Sequence, residues 1–414
     1  MKRLLKNLQL LQGPEAPIQR GDALFDGDQL IAFGSEISAA ADAATVLDVP
    51  PRTLLAPLLV DPHSHLEDPE TGCAETLSSL SREAIAAGYG TVALLPKAAS
   101  WRDRPERLNL FPIDGLEVRL WGAVTRAGDG IELAPLGDQL NCGAIGLSDG
   151  EAMPPLPLLE RLLLLGEADA APLLVAPRDP ALTQAGLVRE GVDTLRLGWP
   201  PDPVNSELLP LHTLLALAPR APQLRLMNLS TAAGLALLAA APEPPPASVS
   251  WWHLLVDHSS LDPLADGWVV LPSLGSSVDR AALRQGLRDG HLQAIAVHHS
   301  PLDHEEHLLP LDQRPAGVAG YQAVLPALWH ELVDGDGWRP EELWQALSWG
   351  GSTFLDLEPE RLQTGSRRWL LFDPDALHQP REASLAANRP LTRVPLRGQV
   401  LATGLLEPGL WDLD

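Results

Sequence analysis

The chain has 414 residues and a formal net charge of −24, since 54 acidic residues stand against 30 basic ones. Such a charge repels nucleic acid and anionic lipid, so we expect neither as a partner. Hydrophobic residues make up 45% of the chain, which is typical of a globular protein with a sizeable core. No apolar run approaches the roughly 18 residues of a membrane span. The only cysteines are Cys73 and Cys142, so we predict a cytoplasmic protein without a disulfide framework.

The two ends of the chain share short alternating segments that are separated by turn residues. Residues 1–53 contain GDALFDGDQLIAFGSE and TVLDVPP, and residues 364–414 contain TGSRRWLLFDPDA and TRVPLRGQVLATGLL. Alternation of this kind predicts β-strands and hairpins. We therefore predict one small β-sandwich domain that is built from both termini and flanks a different central domain.

Residues 54–363 alternate continuous apolar runs with helix-like runs. The candidate strands are LLAPLLV, TVALL, EVRLWGAVT, GAIGL, APLLVA, LRLMNL, SVSWWHLL and AIAV. Apolar strands that alternate with helices predict a buried parallel sheet. Eight such units in about 300 residues fit an α/β fold of the closed (β/α)₈ barrel type, in which active sites lie at the C-terminal ends of the strands.

The first candidate strand ends in a histidine pair. His63 and His65 follow LLAPLLV with one residue between them. Side chains alternate along a strand, so both imidazoles lie on the same side of the pleat. Two neutral imidazoles in that arrangement suit a zinc-type ion, although histidines held by loop hydrogen bonds would give the same pattern.

Several segments in a shared order resemble dihydroorotases of the amidohydrolase superfamily. They are DPHSHLEDP, ETLSSLSREAIAAGYGTVALLPKA, GAIGLSDGEAMPPLPLLERLLLLG, MNLSTAAGL, VDRAALRQGLRDGHLQAIAVHHSPLDHEE and RPAGVAGYQAVLPALW. The resemblance extends to the terminal β segments and covers nearly the whole chain. It implies a metal-dependent cyclic amidohydrolase barrel of pyrimidine biosynthesis.

The resemblance also identifies the positions of the metal ligands. His63 and His65 stand at the first two of them, and Asp149 stands in the segment that supplies a carboxylate ligand in one subgroup. The histidines expected after strands five and six are replaced by Ala176 and Asn228. Part of the family's ligand set is therefore missing.

The position after the eighth strand departs further from the family. Its aspartate, which is both metal ligand and general base, is replaced by His298. His298 or its neighbour His299 could still join His63, His65 and Asp149 around one zinc ion. We expect zinc to be absent or weakly bound, and we assign no catalytic residue.

The residues that hold the substrate in the family are replaced as well. Glu67 stands where the resemblance implies an arginine for the carboxylate of the substrate. Lys97 replaces an asparagine, Leu271 aligns roughly with another, and Leu302 replaces a histidine. We therefore assign no substrate-binding residue either.

Two hypotheses account for this pattern. The first is a catalytically inactive dihydroorotase-like protein that acts as a scaffold or partner, through self-association or with aspartate transcarbamoylase, as the resemblance suggests. The second is an active amidohydrolase that opens dihydroorotate or a related ring at an altered site. Both predict that His63, Asp149, Ala176, Asn228 and His298 converge at one barrel mouth.

Overall fold

The computed structural model describes residues 2–37, 44–110, 113–167, 171–262, 265, 267–380, 383–391 and 395–405. Its strands are β1 (Lys2–Leu10), β2 (Gln19–Asp26), β3 (Gln29–Phe33), β4 (Thr45–Leu47), β5 (Leu54–Ala56), β6 (Leu59–Ser64), β7 (Tyr89–Leu94), β8 (Glu117–Gly122), β9 (Gly146–Ser148), β10 (Leu173–Val175), β11 (Val188–Arg189), β12 (Pro201–Asp202), β13 (Leu224–Leu226), β14 (Ser248–Ser250), β15 (Ala294–Ala296), β16 (Leu370–His378) and β17 (Leu396–Thr403).

The helices between these strands are mostly short. They are α1 (Leu77–Ala86), α2 (Leu136–Asn141), α3 (Leu156–Leu165), α4 (Pro180–Thr183), α5 (Val192–Leu197), α6 (Asn205–Leu217), α7 (Ala232–Ala239), α8 (Trp251–Leu255), α9 (Ser277–Arg288), α10 (His304–His307), α11 (Tyr321–Leu328), α12 (Pro340–Trp344) and α13 (Gly350–Phe354), with π-helical turns at Trp329–Gly335 and Gln345–Trp349. Among the described residues, no helix has both the length and the apolar composition of a membrane span.

Strands from both ends of the chain hydrogen-bond into one seven-stranded sheet. Its order is β17-β16-β5-β1-β2-β3, and β4 pairs with β1. Leu5, Phe25, Leu55 and Trp369 bury their side chains together in the core of this sheet. The N-terminal and C-terminal segments thus fold together, while the division of the chain at residues 53 and 363 stays a prediction.

The central part of the chain forms the (β/α)₈ barrel, as predicted. Strands β6, β7, β8, β9, β10 and β13 make one continuous parallel sheet, and β14 pairs in parallel with β15. The backbone links β13 to β14, because Leu226 N donates to Pro246 O at 2.8 Å and Leu229 N donates to Ser248 O at 3.0 Å. Each of the eight candidate strands overlaps one strand of this barrel.

Several predicted strands differ from the observed ones in their extent, and two of the differences have a clear local cause. LLAPLLV is divided between β5 in the terminal sheet and β6 in the barrel, and the break includes Pro57, which has no N–H to donate to a ladder. SVSWWHLL is extended only over β14, after which α8 begins. The Ser250 hydroxyl accepts a hydrogen bond from Trp252 N and caps that helix.

A buried carboxylate joins the last barrel strand to the first. Asp61 Oδ1 accepts the backbone N–H of Val297 at 2.9 Å, and Asp61 Oδ2 accepts the hydroxyl of Tyr321 at 2.8 Å. Directly after the end of β6, the backbone N–H of His65 donates to His299 O at 2.8 Å. These contacts close the barrel and bring the ends of β6 and β15 side by side.

Replacing this carboxylate should destabilise the protein strongly. Asp61→Ala leaves the buried donors of Val297 and Tyr321 without an acceptor, and each such donor costs about 1–3 kcal/mol. We expect the free energy of unfolding to fall by about 3 kcal/mol or more in urea denaturation, and by about 1 kcal/mol in Tyr321→Phe. Asp312→Ala, at an exposed position, is the control. Equal unfolding midpoints for Asp61→Ala and the control would contradict the role of Asp61.

Candidate metal centre at the barrel mouth

His63 lies inside the barrel mouth with both ring nitrogens engaged. It is fully buried. Its Nδ1 lies 3.1 Å from Nδ1 of His298, and its Nε2 lies 2.8 Å from Oγ of Ser248. His63 therefore connects the first barrel strand to the seventh and eighth.

His65 and His298 face the carboxylate of Glu151, which the resemblance does not identify as a ligand. The Nε2 atoms of both histidines lie 3.4 Å from Oε1 of Glu151. Both Nε2 atoms are buried and make no hydrogen bond to any residue that the structure describes. The three ligand atoms all lie within 4.8 Å of one another. We call His65, Glu151 and His298 the triad.

The triad fits a single divalent metal ion. A tetrahedral zinc site with bonds of about 2.0–2.2 Å places neighbouring ligand atoms about 3.3–3.6 Å apart. The two nitrogen-to-oxygen separations in the structure, 3.4 Å each, lie within that range. Two imidazoles and one carboxylate are also a donor set that zinc accepts, with the fourth position left for water or a ligand.

The protonation states that the structure favours suit a metal ion. Burial alone would raise the pKa of the Glu151 carboxyl, but the contacts with His298 and His65 outweigh it and hold the pKa well below its usual range. Burial lowers the pKa of His65, and the nearby Glu151 offsets only part of that shift. The triad thus presents an ionised carboxylate and a neutral His65 imidazole, as metal binding requires.

Asp149, the carboxylate expected at this centre, lies outside the triad. Its Oδ1 accepts the N–H groups of Val124 and Thr125, each at 2.9 Å, and its Oδ2 accepts the Thr125 hydroxyl at 2.6 Å. These bonds hold the loop after β8. Burial nevertheless raises the pKa of Asp149 to about 6. Its place at the centre is taken by Glu151, the second carboxylate of the LSDGEA segment.

Ala176 and Asn228 border the triad without contributing a metal ligand of the family type. With Glu151 and His298 they line a cavity of about 10 Å³, roughly the room of one water molecule. Neither amide atom of the Asn228 side chain has a hydrogen-bond partner among the described residues. His63, Ala176, Asn228 and His298 thus converge at one mouth, and Asp149 is turned toward the β8 loop.

A larger cavity of about 520 Å³ lies outside the triad. His65 and Glu151 form part of its wall, together with Lys97, Leu302 and the exposed Glu67. The described lining carries six carboxylate side chains against that single lysine; they belong to Glu67, Asp68, Glu75, Glu151, Asp303 and Glu306. The entrance to the candidate metal centre is therefore strongly acidic.

The two candidate carboxylates can be separated by metal titration. Glu151→Gln replaces an anionic ligand with a neutral amide, so zinc affinity should fall about 100-fold or more. That figure assumes an ion pair of about 3 kcal/mol. Asp149→Asn should leave the affinity within about threefold of the starting protein, because Asp149 lies outside the triad. Competition with a chromophoric chelator measures both. Equal losses for the two variants would exclude Glu151 as the sole carboxylate ligand.

Comparisons with known proteins agree with this architecture. The chain is 35% identical over 403 residues to a probable dihydroorotase-like protein of Synechocystis sp., covering 87% of this chain and 90% of that protein. It is 26% identical over 412 residues to a dihydroorotase of Pelotomaculum thermopropionicum, covering 97% and 95%. No family model matches the chain.

Solved structures share the fold at lower sequence identity. The L-hydantoinase (dihydropyrimidinase) of Arthrobacter aurescens superposes with a TM-score of 0.77 at 16% identity, covering 98% of this chain and 96% of that one. The dihydropyrimidinase of Brevibacillus agri superposes with a TM-score of 0.74 at 19% identity, covering 99% and 95%. Together with the Synechocystis relative, the barrel and its histidine-lined mouth show that this chain belongs to the dihydroorotase-like family of the amidohydrolase superfamily.

Proposed function

We propose that this chain is a dihydroorotase-like protein that does not hydrolyse dihydroorotate and serves in the cytoplasm as a scaffold or protein partner. The observation that carries the proposal is the position of the His298 ring, whose two nitrogens face His63 and Glu151. Its Nδ1 faces His63 at 3.1 Å and its Nε2 faces Glu151 at 3.4 Å. The resemblance implies an aspartate here that takes a proton from water, and a lost general base typically costs about 10²–10⁴ in rate.

The metal requirement is met only in part. The triad would hold one ion. A bound zinc would polarise the carbonyl of the substrate and lower the pKa of a bound water. Ala176 offers no donor atom, and Asn228 offers a neutral amide in place of an imidazole. The positions of Ala176 and Asn228 therefore provide no histidine ligand for a second ion.

The charge of the mouth also opposes dihydroorotate, whose carboxylate is ionised at neutral pH. Six carboxylates line the large cavity, and one of them, Glu67, stands where the resemblance implies an arginine. One unit charge opposite another at 5 Å in water contributes about 0.8 kcal/mol. Exchanging an attractive charge for a repulsive one thus weakens binding about tenfold at this position alone.

An active amidohydrolase with another substrate is the second candidate, and the size of the mouth favours it. A cavity of about 520 Å³ that reaches His65 and Glu151 is large enough for a small cyclic amide. Zinc at one ion per chain, with turnover of an uncharged cyclic amide that His65→Ala abolishes, would establish this function in place of the first.

Dihydroorotate itself provides the direct test of lost activity. With added zinc, the purified protein should open the ring at a rate close to the uncatalysed one. Glu67→Arg should bind dihydroorotate about tenfold more tightly in calorimetric titration, because the charge at this one position is reversed. Glu70→Arg makes the same change at an exposed site outside the cavity lining and should have little effect. Fast turnover by the unmodified chain would overturn the proposal.

The partner role has its own test. The family resemblance suggests aspartate transcarbamoylase, and self-association is the other possibility. We expect the full chain to elute from size-exclusion chromatography with light scattering as an oligomer, or as a complex when aspartate transcarbamoylase of the same source is added. Recovery only as a free monomer, with and without that enzyme, would refute the role.

A further inference from the structure

A buried chain of hydrogen bonds runs behind the triad. It begins at His298 Nδ1, which lies 3.1 Å from His63 Nδ1, and continues from His63 Nε2 to Ser248 Oγ at 2.8 Å. Ser248 Oγ also accepts the backbone N–H of Asn228 at 3.1 Å and lies 3.5 Å from the carbonyl oxygen of Leu226. His63, Ser248 and His298 are all buried, so solvent does not compete for these bonds.

Two directions of proton donation satisfy the distances. In one, Ser248 donates to His63 Nε2, His63 donates from Nδ1 to His298, and the His298 proton sits on Nε2. In the other, His298 donates from Nδ1 to His63, His63 donates from Nε2 to Ser248, and Ser248 donates to Leu226 O. Only the second direction leaves a lone pair on His298 Nε2, the atom that faces Glu151.

We propose that His63 is a positioning residue of a one-metal centre: it fixes the orientation and tautomer of His298, and it is not itself a ligand. The proposal rests on metal binding by the triad. A direct bond from His63 to the ion would require it to give up its contact with His298 or with Ser248. The family resemblance places His63 among the ligands, so this assignment changes its role.

The surroundings of His63 hold its ring in a fixed position, because the side chain is fully buried and both ring nitrogens have a partner. A neutral imidazole can accept a hydrogen bond at one nitrogen and donate at the other, as the chain of bonds requires. Partners of this kind behind a metal-bound histidine typically contribute about 10–100-fold to metal affinity.

Metal affinity and stoichiometry test the role without any activity assay. His65→Ala removes a ligand and should abolish stoichiometric zinc binding. His63→Ala should still bind one zinc per chain, about 10–100-fold more weakly, and should keep the visible absorption bands of bound cobalt with altered positions. His212→Ala, at an exposed position, should leave affinity and cobalt spectrum unchanged.

Two further variants separate positioning from ligation and from misfolding. His63→Asn offers an amide oxygen close to the Nδ1 position, so it should recover most of the affinity that His63→Ala loses. Ser248→Ala should weaken binding in the same direction as His63→Ala, because it removes the acceptor for His63. Circular dichroism confirms that each variant is folded.

Three results would overturn the inference. They are two ions bound per chain, complete loss of binding in both His63→Ala and His63→Asn when these variants are folded, and no metal binding by the unmodified protein. The last result would remove the triad as well. Rapid hydrolysis of dihydroorotate would instead refute the proposed loss of activity and leave the role of His63 standing.

Discussion

The closure of the barrel through Asp61 is the constraint on which the mouth depends. Asp61 lies two residues before His63 on β6, and its carboxylate binds the N–H of Val297, one residue before His298. The same hydrogen bond that joins the strands therefore fixes the register at which the two histidines meet. His63 and His298 then lie edge to face, with ring centroids 5.1 Å apart. The site geometry is thus a consequence of the fold closure.

An imidazole at the end of the eighth strand rearranges the centre around it. A carboxylate there would carry a charge and only accept hydrogen bonds, whereas an imidazole in its neutral form can donate from one nitrogen and coordinate through the other. Its Nδ1 side is occupied by His63, so the ion-binding atom becomes Nε2, on the far edge of the ring. That atom faces Glu151, which lies two residues beyond Asp149, the residue bound to the β8 loop. One substitution thus accounts for a different carboxylate and for a changed role of His63.

The sequence predicted the barrel because burial on both faces produces continuous apolar strands, and all eight runs overlap a strand. It did not predict the limits of every strand, since apolar content does not reveal the break at Pro57 or the helix cap at Ser250. At the site it identified His65 and His298 but missed Glu151. Asp149 and Glu151 stand in one short segment, and only the loop geometry decides that one binds backbone N–H groups while the other faces the histidines.

Most of the packing of the barrel comes from side chains outside the triad, so the triad can change while the fold persists. The packing of the barrel comes from apolar side chains within the strands and helices, such as Val92, Leu174 and Ile295. The triad residues His65, Glu151 and His298 lie beyond the ends of their strands, whereas His63 lies on β6. Substitution at the mouth is tolerated when the new groups find partners, as His298 does with His63, or when they are apolar, as Ala176 and Leu302 are. Selection for a folded barrel alone would therefore not preserve the family's hydrolytic residues, whereas selection for hydrolysis would.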